Sequence, residues 1–437
     1  MEKQEKQSVS IREQFIKYQK PMEKMYYIFL TVILVYHFLG TTVILGNVKY
    51  YMTEAFAGGM PYDLAEMMVE NIFNLRFLIM IPAIYTLVFE VKNNKKRILI
   101  TVLLVIGWFY AFYWRQHNDT AVFEVLLMIA ASAERDFKKI ARIAIAVMTS
   151  LLVITFVLSL MGILPDFIND RHADAVRHSF GIIYCTDLAA HWCFVILLYV
   201  FIKDGNMKWP AYLIMLILTV LNIWLVDGRL SYLCVGLAAA GSIIYTLYVK
   251  KGWKLPEKLL MVWRWGLAAS YVILAAFYMI LNWTFTYDPN AFYHRIHALE
   301  NLGWRLETSY RVTKVLPFSW FGKYFNQIGD GFDAAVNTGF YTFLDCSYIR
   351  IYVMYGVVAL IVFLAIYTGI QCRLMKKKQT MKMFIMAIVA LNCLLEHRMI
   401  DLAYNMFLLL PFVCIDNCDH KAAKENEKTA EAERQGG

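Results

Sequence analysis

Charge is scarce in this chain. Only 18% of its 437 residues are charged, 59% are hydrophobic, and the mean hydropathy is +0.49. A soluble domain of this length needs more charge to cover its surface. Familiar catalytic signatures are missing as well. The sequence holds no Walker A loop and no Rossmann glycine fingerprint. It holds no HExxH zinc motif and no GxSxG nucleophile elbow. Of eight cysteines, Cys185, Cys193, Cys234, Cys372, Cys393, Cys414 and Cys418 lie in or beside apolar runs, and Cys346 sits in a polar loop with no loop partner. That placement excludes a disulfide framework, and no Cys/His spacing suits zinc. No metal and no cofactor is expected.

What the chain does have is apolar length. Runs of 17 or more apolar residues recur throughout, and in lipid a backbone must satisfy its own hydrogen bonds, which only helices and closed barrels do. The runs are too long and continuous for barrel strands. The expectation is an all-α, polytopic membrane protein of about twelve transmembrane helices. The spans fall near 25–46, 72–91, 98–114, 120–133, 140–164, 179–202, 210–226, 230–249, 259–282, 348–371, 380–396 and 402–418. The fourth is short. Residues 1–24 read as a retained cytoplasmic segment in which Ile11, Phe15, Tyr18 and Met22 fall at helical spacing. Residues 419–437 read as a disordered cytoplasmic tail.

Positive charge orients these spans. Alternate loops hold Lys92, Lys95, Lys96 and Arg97; Arg135, Lys138 and Lys139; Lys203 and Lys208; Lys250, Lys251, Lys254 and Lys258; and Arg373, Lys376, Lys377 and Lys378. The positive-inside rule makes these loops, and both termini, cytoplasmic. The net charge of +9 is then membrane-surface charge and does not indicate nucleic acid. A polar stretch of about 65 residues, from about Trp283 to Ser347, breaks the rhythm, far above ordinary loop length. By this topology it is the large extracytoplasmic loop, between helices 9 and 10.

The basic residues of the outward loops are mostly arginine, the planar, permanently charged, bidentate partner of a diphosphate. Among them are Arg115, Arg171, Arg177, Arg229, Arg295, Arg305, Arg311 and Arg398, with Arg76 and Arg350 at outward span ends. Taken singly each is a snorkelling or ion-paired loop residue; as a set facing one side they form an anion-binding surface. His117, His172, His178, His294, His297 and His397 share that side, and neutral imidazole is the cheapest general base near neutrality. His178 follows Arg177, and His397 lies between Glu396 and Arg398. Asp227-Gly228-Arg229 forms a tight turn between spans, and Asp345, Tyr348 and Arg350 bring an acid, a hydroxyl and a guanidinium to the start of the tenth.

Four segments carry a resemblance. They are Arg177 to Gly181, Val226 to Ser231, Asn301 to Arg305 with the aromatic stretch to Phe321-Gly322, and Phe343 to Tyr348 with Tyr355-Gly356; Glu396 and Asn405 add a weaker fifth. In order, spacing and side the chain resembles a Wzy-type polysaccharide repeat-unit polymerase, of the O-antigen polymerase and ligase superfamily. It departs from the pattern at Gly228, where Ser is usual, at Thr186-Asp187, which replaces His-Pro-Asn, and at Cys346, where Asn is common. The resemblance implies an undecaprenyl-diphosphate-linked oligosaccharide as substrate, the lipid bilayer as surroundings, and a flippase and chain-length regulator as further partners. It implies polymerisation of repeat units into a capsule, exopolysaccharide or O-antigen at the outer face of the cytoplasmic membrane. Arg177, Arg229 and Arg305 would hold the diphosphate, with Tyr348, Arg350 and Glu396 as secondary contacts. His178, Asp345 and His397, in that order, are the candidate bases. A ligase of the same superfamily and a transporter or flippase remain open alternatives.

Overall fold

A computed structural model describes residues 2–114, 119–170, 176–253, 256–285, 297–316, 318–325, 327–328 and 342–415. The side chains of residues 2–19, 169–170 and 297–301 lie outside that description. So do the expected C-terminal tail, Arg115, Arg171, Arg295, His117, His172 and His294.

The chain is an all-helical, multi-pass membrane protein. Eight of the described helices are long and apolar enough to cross a membrane, and a pair bent by 56° adds a ninth when counted as one span. In order these are α1 (Glu2–Leu39), the run from α3 (Tyr62–Asn74) through α4 (Met80–Tyr85), α5 (Asn94–Tyr113), α7 (Phe137–Leu160), α8 (Cys185–Ile202), α9 (Trp209–Leu221) with its continuation to Val226, α10 (Arg229–Lys250), the bent pair α11 (Glu257–Ala268) and α12 (Ser270–Thr284), and α15 (Gly356–Lys376). Two shorter apolar helices, α6 (Ala121–Ala131) and α16 (Thr380–Leu395), complete the bundle. Local signals start several of these helices. Thr42 accepts from Ile44 N at 3.1 Å, Asn93 from Lys96 N at 3.1 Å and Asp136 from Lys138 N at 2.9 Å. Each N-cap satisfies an amide that the helix itself leaves orphaned.

Helix α8 is the axis. It is apolar all round and mostly buried, as befits a helix enclosed by others, and α7, α10 and α16 pack directly on it. The peripheral helices turn large apolar side chains outward, Trp224 at 80% exposed and Val262 at 68% among them. So extensive an apolar exterior suits hydrocarbon and not water.

Three expectations need correction. First, the stretch 402–418 is not a helix over its described part, which runs to residue 415. It is a chain of turns with one short 3₁₀ piece, Met406–Leu409. It runs the length of α8: Arg398 meets Asp187, the Tyr404 ring stacks on His191 at 4.2 Å, Phe407 meets Phe201, and Cys414 N bonds Arg135 O at 2.8 Å. Phe407, Leu408, Leu409 and Leu410 are fully or almost fully buried. Irregular backbone is tolerated at membrane depth where protein encloses it. Arg373 clamps its far end, donating to the carbonyls of Leu410, Pro411 and Val413. Second, the loop after the first span is a helical hairpin, α2 (Val43–Ala57) against α3, braced by a Lys49–Glu70 pair at 2.8 Å. Third, the tenth expected span breaks at Tyr355-Gly356 into α14 (Ser347–Met354) and α15. The long polar stretch contains its own helix, α13 (His297–Val315).

Candidate functional site

Arg177, Arg229, Arg305, Arg350 and Arg398 lie toward the end of the bundle where α8 begins, away from the Lys96, Arg135 and Arg373 end. Arg398 is the hub. It is fully buried, donates to Asp187 Oδ1 at 2.6 Å, and is also bonded to Glu396. Glu396 in turn accepts from Arg305 at 3.2 Å, and Arg305 Nε lies 3.1 Å from Asp345. Arg305 donates as well to the Leu395 carbonyl. One charge network thus joins α8, α13, the start of α14 and the end of α16. Buried charges persist only when paired and hydrogen-bonded, and these alternate in sign.

Neutral neighbours hold the hub still. Ser347 Oγ donates to the Glu396 carbonyl and accepts from Met399 N at 3.0 Å. Asn405 Nδ2 donates to Tyr367 Oη at 2.7 Å and to the Met399 carbonyl at 3.1 Å. Ser347 and Tyr367 carry no signal of their own in the sequence. Thr186-Asp187, seen there as a departure from the family pattern, supplies a carbonyl and a carboxylate to Arg398.

On the other side of α8 lies a second basic element. Helix α9 ends in a wide π turn, Asn222–Val226, whose last carbonyls are taken up by the neighbouring segment. Leu225 O accepts from His178 N at 2.7 Å and Val226 O from Arg177 Nε at 3.1 Å. Wide turns of this kind recur at functional sites. Asp227 then takes a left-handed conformation at φ 48°, and Asn222 Oδ1 accepts from Gly228 N at 3.0 Å. Arg229 Nε lies 3.2 Å from Asp227 Oδ1, half exposed. A Cβ on Gly228 would stand 2.3 Å from the Ala189 Cβ. That contact explains why Ser, the usual residue of the resembling family, does not fit here. It also fixes the Arg229 turn two residues along α8 from Asp187.

His178 is built as half of a dyad. Its Nδ1 lies 2.6 Å from Asp166 Oδ2, and Asp166 Oδ1 accepts from Ser179 N and Phe180 N, each at 2.9 Å. Asp166 was not legible as a functional residue. Partial burial works to raise its pKa, but the imidazole and the two amides outweigh burial and hold the carboxyl below its ordinary range. The other two candidate bases are placed differently. Burial, reinforced by Arg350, Arg398 and Arg305, pushes the His397 imidazole far down, so it stays neutral and accepts protons poorly. Burial pushes the Asp345 carboxyl up to about 6, against the pull of Arg305.

The Asp345 shift makes a testable prediction. A carboxyl whose folded-state pKa lies above its ordinary 3.8 contributes most to stability below that value, and the contribution is lost as pH rises through about 6. Thermal midpoints of the wild type relative to Asp345→Asn should therefore decline between about pH 4 and 7. A constant difference across that range would contradict the shift.

Tyr348 requires correction as a substrate contact. It is fully buried and its hydroxyl donates to the Ala390 carbonyl at 3.0 Å, so it packs α14 onto α16. Arg350 lies with its guanidinium 4.9 Å over the Phe343 ring. Among the described residues no group of three or more His, Cys, Asp or Glu is placed to hold a metal ion.

No family model, no curated protein and no solved structure matches the chain. The chemistry of this end of the bundle rests on its own geometry. Three guanidinium nitrogens there, Arg177 Nη2, Arg350 Nη1 and Arg398 Nε, are buried with no hydrogen-bond partner among the described residues. A buried donor left unmade is costly and rare in protein structures, so each of these nitrogens calls for an acceptor.

Proposed function

We propose that the chain is a membrane glycosyltransferase that polymerises undecaprenyl-diphosphate-linked oligosaccharide repeat units at the outer face of the cytoplasmic membrane. The observation that carries this reading is a set of buried guanidinium nitrogens, Arg177 Nη2, Arg350 Nη1 and Arg398 Nε, that have no hydrogen-bond partner among the described residues and belong to or adjoin the segments of the Wzy-type resemblance. A diphosphate offers oxygen acceptors to several guanidiniums at once, and a polyprenyl tail suits the apolar exterior. If the bent pair, the two short apolar helices and the irregular run after Arg398 each cross as well, the eight long helices become the twelve crossings this reading requires. With twelve crossings and the positive-inside rule, both termini would be cytoplasmic and the arginine end outside.

The reaction is a displacement. A hydroxyl of the incoming lipid-linked repeat attacks the anomeric carbon of the growing chain. The bond from that carbon to the diphosphate oxygen breaks, and undecaprenyl diphosphate leaves. His178 takes the hydroxyl proton. Arg177, Arg229 and Arg305 stabilise the charge that builds on the departing diphosphate.

The test is the purified protein with a synthetic lipid-linked repeat. A ladder of products is expected. Arg229→Lys and Arg305→Lys should each lower chain growth about tenfold or more, because lysine cannot make the two-pronged contact. A single transfer to a different acceptor would indicate a ligase, flux without covalent product would indicate a transporter, and either would overturn the polymerase reading.

A further inference from the structure

The glycosyl-transfer reading gives His178 a task, and the structure around it says how that task is arranged. The turn after Arg177 folds back on itself: Phe180 has φ 46° and Gly181 φ 83°. This reversal aims the amides of Ser179 and Phe180 at one point, a small anion-binding nest. Asp166 Oδ1 occupies it at 2.9 Å from each nitrogen. Ser179 Oγ accepts from Phe167 N at 2.9 Å and locks the two segments together. The His178 ring lies stacked 5.3 Å from Phe180.

A loop staple would need only Oδ1. The second oxygen, Oδ2, is committed to His178 Nδ1 at 2.6 Å, although the histidine side chain is 31% exposed. Among the described residues, none is hydrogen-bonded to its other nitrogen, Nε2. Carboxylate, imidazole and an open Nε2 in line are the geometry of an oriented general base.

We infer that Asp166 is the positioning residue of His178, holding the proton on Nδ1 so that Nε2 is the atom that accepts the sugar hydroxyl's proton. The assignment rests on the glycosyl-transfer reading for the identity of that proton, but not for the hydrogen bond itself. The charged groups facing His178, among the described residues, are Asp166, Arg177 beside it, and Asp227 and Arg229 from the turn it is bonded to. Arg177 turns its guanidinium to Val226 O, and Asp227 is engaged with Arg229. Among the described residues Asp166 is therefore the carboxylate in contact with the imidazole.

The experiment uses full-length protein in lipid nanodiscs and the variant Asp166→Asn. Asparagine keeps an oxygen for the two amides but loses the negative charge and the enforced tautomer. Carbethoxylation of His178 by diethyl pyrocarbonate is followed across pH by peptide-resolved mass spectrometry, which reads the neutral imidazole with no need for turnover. The midpoint of reactivity is expected to move down by about one pH unit. In the chain-growth assay kcat should fall about 100-fold with KM little changed, and its acid limb should move with the reactivity profile. Asp166→Glu should restore part of both. Superimposable reactivity profiles for wild type and Asp166→Asn, each folded by thermal midpoint, would overturn the inference. So would a shifted profile with unchanged kcat. A shifted profile in a protein whose wild type never extends the lipid-linked chain leaves the pairing in place and overturns the glycosyl-transfer reading instead.

Discussion

Replacing Arg398 by Ala should leave little folded protein. The guanidinium is fully buried and engages Asp187 and Glu396, both of which lie largely out of solvent. Two charges pulled from water are tolerated only through their partner. Removing one partner of a buried pair costs about 3–5 kcal/mol, and Arg398 serves two carboxylates, so the upper end of that range is expected. Total stabilities of about 5–15 kcal/mol leave little margin. The neutral Ser347 and Asn405 contacts to this segment do not substitute, because they hold the backbone and not the carboxylates. Heating followed by size-exclusion chromatography in detergent measures the loss. The combination Arg398→Met, Glu396→Gln and Asp187→Asn removes all three charges and should recover much of the stability while chain growth stays absent. An Arg398→Ala protein as heat-resistant as the wild type would show that the network is ornamental and that its buried nitrogens say nothing about a ligand.

The arginines were legible in the sequence because charge in an apolar chain is costly and stands out. Arg177, Arg229, Arg305 and Arg398 could be picked from the sequence for that reason. Their geometry could not. Whether Arg305 reaches Asp345 or Arg350 does depends on how α13 lies against α14, across residues that share no periodicity. Asp166 and Asn222 were invisible for a related reason: an acid after a proline and an amide inside an apolar helix are ordinary taken alone. They become specific only when a reversed turn and a π turn bring His178 and Gly228 to them. The helices themselves were read from apolar length, and that signal failed where length and helix part company. The run after Arg398 is as apolar as a span, but protein on all sides satisfies its irregular backbone, so no helix is needed. The hairpin α2–α3 was missed for the converse reason, since its polar residues masked a helical period.

The resemblance motifs also contained a contact that no motif states. Phe321-Gly322 and Tyr355-Gly356 lie 34 positions apart in the numbering, yet their glycines interlock. Gly322 has φ 84° and Gly356 φ 83°. The segment 318–324 fills the break between α14 and α15: Lys323 N donates to Val353 O at 2.9 Å, Val357 N to Ser319 O at 3.1 Å and Val358 N to Trp320 O at 3.2 Å. A Cβ on Gly322 would stand 1.9 Å from Met354 O, and one on Gly356 2.4 Å from Gly322 N. Both obstacles are backbone, which cannot rotate aside as a side chain can. Gly322→Ala therefore adds the strain of a left-handed residue, about 1–2 kcal/mol, to the loss of the backbone bonds that seal the break, each worth about 1 kcal/mol. A loss above about 4 kcal/mol is expected, in the exceptional class for a single methyl group. Gly356→Ala should match it, and the double variant should be little worse than either, because both break one contact. Gly369→Ala, inside α15 with nothing within 4 Å of its Cβ position, should instead be neutral or stabilising by about 0.5–1 kcal/mol. The break carries α14 to Ser347 and Asp345, so loosening it frees the network partner of Arg305, and chain growth should fail in the Gly322 variant at temperatures where the fold survives. Equal thermal midpoints for Gly322→Ala and Gly369→Ala would remove the interlock as the reason for these two glycines.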